Sequence, residues 1–151
     1  MSGEGNVKVI KFGMCGIIAA AFAVFAFVLD ASQIQELMKE EKWTEAKKIA
    51  EASLTENNND ASIYLTIGIC AVNQRNYNEA AGNLSKAHIL NPKLSLPLYL
   101  LGVIFEETGS LAKARDYFKE AYKVEKDKEK RKDILKHIEV VDEKIEKEEK
   151  K

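Results

Sequence analysis

Lys42–Ser53 reads KWTEAKKIAEAS, Asn76–Ala87 reads NYNEAAGNLSKA and Ser110–Ala121 reads SLAKARDYFKEA. Set one beneath another, the three strings hold a single fixed spacing, the same from Ala46 to Ala80 as from Ala80 to Ala114. Those three alanines fall in one column; Trp43, Tyr77 and Leu111 in a second; Ala50, Leu84 and Phe118 in a third; Ser53, Ala87 and Ala121 in a fourth. The register extends upstream, where Leu37 aligns with Ala71 and Phe105, and Ile34 with Gly68 and Gly102. Agreement of this many columns at one period marks a repeat architecture, and a period of about 34 residues is that of stacked helical pairs. Alternating strand-type runs are scarce and Ala, Leu, Lys and Glu dominate the second half, so the units read as helices.

The columns have a steric logic. Gly68 and Gly102, opposite Ala80 and Ala114, let the two helices of a pair approach closely, while Phe105 and Phe118 fill the space between pairs. One pair buries too little alone, so neighbours must stack, and three units are about the minimum. Turn chemistry falls between the units. Asn57-Asn58-Asn59-Asp60 is a loop ending in a helix cap, Asn91-Pro92 stops a helix, and Thr108-Gly109-Ser110 is a turn inside the third pair. Asp30 or Ser32 is the expected cap at the start of the first pair, and Ser32 with Gln35 three positions on has the capping-box pattern.

These residues resemble the tetratricopeptide repeat (TPR) family, whose pattern is W-x2-L-G-x2-Y, then A-x3-F, then P. The unit at 61–94 carries Tyr64, Ile67, Gly68, Ala71, Ala80, Leu84, Ala87 and Pro92 in the family's columns. The unit at 95–128 carries Leu98, Leu101, Gly102, Phe105, Ala114, Phe118 and Ala121, with Lys126 in place of the closing proline. The unit at 30–60 is degenerate, with Gln33 and Ile34 where leucine and glycine are expected. The resemblance implies an all-α solenoid whose first helices line a concave groove for a protein segment. Carried onto this chain, the groove columns hold Gln35, Met38 and Lys39 in the first unit, Leu65 and Ile69 in the second, and Tyr99, Val103 and Glu106 in the third. The apolar members imply an apolar peptide or helix as partner, and they leave no place for the Lys/Asn clamp with which some members hold a C-terminal carboxylate. The alternative is that the C-terminal helix, or a second copy of the chain, covers these positions.

Flanking the repeats are two segments of opposite character. A polar start over 1–11 leads into FGMCGIIAAAFAVFAFVL at 12–29, eighteen residues without a charge. As a helix this stretch is about 27 Å long, against a hydrocarbon core of about 30 Å. It is therefore expected to be a transmembrane helix or uncleaved anchor, with a cleaved signal peptide as the competing reading. Lys8 and Lys11 before it and Asp30 after it favour a single-pass topology with the repeats on the extracytoplasmic side. At the other end, 129–151 is highly charged, yet Ile134, Ile138, Val141 and Ile145 recur at spacings of 4, 3 and 4. That is a narrow apolar stripe on a capping helix, or alternatively a short coiled coil.

Chemistry is not written in this chain. His88 and His137 have no Cys, Asp or Glu at metal-ligand spacing beyond what chance gives; Cys15 and Cys70 form no C-x-x-C pair. No phosphate loop or nucleophile elbow occurs, and no catalytic or cofactor-binding residue is expected. Net charge is −1 with 31% charged residues, and Lys and Arg are interleaved with Glu. A basic stripe for nucleic acid is therefore lacking. The expected function is a membrane-anchored, non-enzymatic scaffold that binds partner proteins; the competing reading is a self-assembling structural subunit.

Overall fold

A computed structural model describes residues 31–55 and 58–150. Residues 31–39 are helical (α1). There follow α2 (Trp43–Leu54), α3 (Ala61–Asn73), α4 (Tyr77–Leu90), α5 (Ser95–Glu107), α6 (Leu111–Val124) and α7 (Lys128–Glu149). From α2 onward the helices pack on their sequence neighbours, and α3 also touches α5 directly. Contact of that kind between α4 and α6 is at most marginal. The first helices of the pairs therefore line the inner side of the stack, and the second helices its outer side.

The expected transmembrane helix is not among the described helices. No described helix is long and apolar enough to cross a membrane. Only α7, with 22 residues, has the length, and Lys and Glu occur along all of it. The segment 12–29 itself lies outside the described residues. The single-pass placement, with the repeats on an extracytoplasmic side, is corrected accordingly: none of the described helices supports it.

Caps and turns follow the local sequence. Asp60 accepts a hydrogen bond from the Ser62 amide at 2.8 Å and starts α3; Asp127 accepts from Glu129 and Lys130 at 2.9 and 3.0 Å and starts α7. The three turns inside the pairs share one geometry. Glu41, Arg75 and Gly109 take positive φ of 57°, 58° and 78°, and each stands one repeat period from the next. After each, an amide reaches back to a carbonyl five residues earlier: Lys42 to Leu37, Asn76 to Ala71, Ser110 to Phe105, at 2.8–2.9 Å. This is the left-handed termination that glycine fits best. A side chain there costs about 1–2 kcal/mol, less the roughly 0.5–1 kcal/mol of chain entropy that a glycine loses. Arg75→Gly is expected to stabilise the protein by about 0.5–1 kcal/mol, read as a higher urea midpoint; a lower midpoint would refute this account of the turn.

The core shows why the columns exist. A Cβ on Gly68 would lie 2.7 Å from Leu84 Cδ2, and a Cβ on Gly102 2.6 Å from Phe118 Cδ1. Each glycine thus makes room for one large side chain from the second helix of its own pair, and Leu84 and Phe118 are fully buried. The first pair reverses the arrangement. Ile34 stands in the glycine column of α1, and Ala50 in the large-residue column of α2; Ile34 packs against the cluster of Ala50, Ile63 and Ile67. Volume has moved from the second helix to the first, so the unit that looks eroded at each column separately is compensated across the pair.

The stripe on α7 is the last layer of the core. Ile134, Ile138 and Val141 join Leu98, Leu111, Ala114, Phe118 and Ala121 in one buried cluster, with Ile145 packed at its edge. Beyond it the next glycine position in the register, one period after Gly102, is occupied by exposed Lys136. At this position the close approach that Gly102 allows between α5 and α6 is not prepared on α7.

Candidate partner-binding face

The groove positions expected from the sequence lie on α1, α3 and α5. On α1, Gln35 is exposed and Met38 half-buried, and both line a cavity of about 450 Å³ with Ile34, Ile63 and Thr66. On α3, Leu65 and Ile69 are half-buried. Leu65 packs on the cluster that holds Leu101 and Ile104. On α5, Tyr99 and Val103 are half-buried against the cluster formed with α6 and α7. None of these side chains is fully buried, and by the repeat register the apolar ones form a strip along the first helices.

At its C-terminal end α7 joins the strip, and this was not expected from the columns. His137 stands one period after Val103, so it continues the series Gln35, Ile69, Val103. Its Nε2 is hydrogen-bonded to Tyr99 Oη at 2.9 Å. The His137 ring packs edge-on to Tyr99 at 5.3 Å and tilted on Phe118 at 5.2 Å. Glu106 is the counterpart on α5. One of its oxygens takes Lys144 Nζ at 2.5 Å, while the other faces His137 Nδ1 at 3.8 Å. Burial, with Asp133 and Glu106 nearby, pushes the Tyr99 phenol above its ordinary pKa. Tyr99, Val103 and Glu106 are therefore in part engaged by α7. Gln35, Met38, Leu65 and Ile69 have no such cover among the described residues. An α7 read by its apolar stripe alone does not show this; laid on the repeat register, it does.

Beside Tyr99 the α5–α7 junction forms a second hollow, of about 280 Å³. Leu96, 42% exposed on the first turn of α5, forms one wall. Glu125, at the end of α6, accepts the Ser95 hydroxyl at 2.5 Å and the amides of Lys126 and Asp127 at 2.8 and 2.9 Å. The Ser95 hydroxyl, followed by the Asp127 amide, holds the Glu125 carboxyl below its ordinary pKa. A lowered folded value means that the stabilisation is complete above the ordinary value and is lost as pH falls through the folded one. Ser95→Ala should therefore flatten the loss of stability below pH 4.5, the ordinary value. Urea midpoints across that acid range check it; an unchanged slope would show that the hydroxyl has no such role.

Among the described residues no group of His, Cys, Asp and Glu is arranged to hold a metal ion. Cys70 is buried and free, its thiol pushed up by desolvation. What the face offers is shape and apolar surface with a few polar points.

No protein-family model matches this chain, and no curated protein matches it. Solved structures do. The Yersinia enterocolitica type III secretion chaperone SycD, in complex with a peptide of the translocator YopD, is similar over 79% of this chain and 94% of its own, with TM-score 0.75 and 18% identity. PcrH from Pseudomonas aeruginosa is similar over 77% of this chain and 91% of its own, with TM-score 0.72 and 18% identity. The Sgt2 TPR domain from Aspergillus fumigatus is similar over 80% and 79%, with TM-score 0.70 and 14% identity. These likenesses, with the three stacked pairs and the terminal α7, show that the chain has a TPR-like helical-repeat fold.

Proposed function

We propose that this protein is a non-enzymatic adaptor that holds a mainly apolar peptide or helical segment of a partner protein against the inner face of α1, α3 and α5. One observation carries the reading. Leu65 and Ile69 on α3, in register with Met38 before them and with Tyr99 and Val103 after them, stay only half-buried, although Leu65 packs on the cluster that holds Leu101 and Ile104. Apolar strips of this kind on a concave helical surface are suited to an extended or helical ligand. The neighbours' own partners are in keeping with it: SycD is seen with a YopD peptide, and PcrH with the chaperone-binding region of PopD.

The test is photo-crosslinking from single positions of the full chain in its native cells. A photoreactive residue at Ile69 should yield a discrete protein adduct. The same residue at Ile89, 73% exposed on the outer helix α4, should not. Adducts from Ile89 and none from Ile69 would move the binding surface to the other side and sink this proposal.

A further inference from the structure

The adaptor reading leaves open what fixes the register of the bound segment, and the hollow between α5 and α7 bears on this. Its floor and walls are apolar: Leu96, Tyr99 and buried Ile134. Its volume of about 280 Å³ exceeds the ~150 Å³ at which an apolar cavity accepts a benzene ring. Tyr99 belongs both to this hollow and to the inner strip, so the two are continuous.

The rim is charged but unevenly engaged. Glu125 is saturated by the Ser95 hydroxyl and two amides, and Asp133 holds Lys136 Nζ at 2.9 Å. Lys130 is exposed, and its ammonium closes no ion pair among the described residues. An acidic group arriving here meets an ammonium with no ion pair of its own among the described residues, although its charge already acts on Glu125. Apolar floor and rim cation together define a two-part ligand.

We propose that this hollow is the anchor pocket of the adaptor: it takes one bulky apolar side chain, of leucine or phenylalanine size, from a partner segment that carries an Asp or Glu close by in sequence for Lys130. The inference rests on the adaptor reading and adds to it the position and chemistry of the anchor. A single deep apolar side chain with a neighbouring charge is how small interfaces concentrate their binding energy.

The experiment pans a random-peptide phage library on the full chain and on three variants. Leu96→Asp and Lys130→Glu alter the pocket at exposed positions, and circular dichroism should show both folded. Ile69→Asp alters the strip away from it. The expected result is enrichment of Phe, Leu or Met followed within a few residues by Asp or Glu. Leu96→Asp should weaken the enriched peptides about tenfold or more, and Lys130→Glu should turn the charge preference toward Lys and Arg. Peptides indifferent to both changes but lost on Ile69→Asp would overturn the anchor pocket and leave the adaptor reading standing. No enrichment on the unaltered chain would overturn both. If Leu96→Asp converts an oligomer to a monomer while peptide selection is unchanged, a second copy occupies the hollow and the proposal fails.

Discussion

Phe118→Ala is expected to cost about 3–5 kcal/mol, a large part of the ~5–15 kcal/mol that holds a domain of this kind together. Phe118 is fully buried and joins three helices. Its ring fills the room left by Gly102 on α5, lies 5.6 Å from Tyr99 and 5.2 Å from His137 on α7, and packs in one cluster with Ile134, Ile138 and Val141. Truncation removes the transfer term and leaves a void that two close-packed helices cannot collapse. The measurement is urea unfolding of the full chain followed by circular dichroism. A companion result separates this from generic damage. Gly102→Ala alone should cost about 1–3 kcal/mol by overpacking, but clearly less in the Phe118→Ala background, where its methyl enters empty space. Strict additivity of the two changes would show that Gly102 and Phe118 do not share one volume.

Val141→Asp should release α7 while the helices before it persist. Val141 is fully buried in the α6–α7 layer, and an unpaired carboxylate there costs about 3 kcal/mol or more. In a linear stack each layer contacts only its neighbours, so loss of the last one need not propagate. Limited trypsin digestion should open α7, which is rich in Lys and Arg, and leave α3–α6 protected. Val140→Asp, one residue away and 46% exposed, should digest like the unaltered protein. If Val141→Asp instead unfolds everything in one step, α7 is integral to the stack and not a separable closing layer. In the undocked variant Glu106 also loses Lys144 and His137, and Tyr99 its hydrogen bond.

How much of this was legible in the residues depends on the kind of regularity involved. The repeat period was plain because one steric problem, two helices crossing closely, is solved the same way in the second and third pairs. The stripe Ile134, Ile138, Val141 was legible because a helix buried on one side must repeat its apolar residues. The loop and cap at Asp60 were legible from local chemistry alone. The pairing of Ile34 with Ala50 was not, since columns compare like with like and the compensation there runs between two columns. His137 escaped for a related reason: α7 reads as a solvated helix, and only its placement against α5 shows that it continues the groove register. Hydropathy over 12–29 raised a membrane span, and no described helix has that character. The groove positions on α1, α3 and α5 are a proposal of the register, whereas the hollow walled by Leu96 and Ile134 depends on where α6 ends and α7 turns back, and no periodicity encodes that.

The exchange of bulk between α1 and α2 has a consequence for how the chain avoids mistakes while it folds. Arrays of near-identical modules are prone to wrong partnering between repeats. Here a mismatched encounter is penalised in either direction. Ile34 of α1 set against Leu84 of α4 would bring two large side chains to one crossing, and Gly68 of α3 set against Ala50 of α2 would bring none. The first collides and the second gapes, so the first pair is told apart from the other two. Making the first pair resemble the others, by Ile34→Gly with Ala50→Leu, would erase that discrimination at the net loss of a single side-chain carbon.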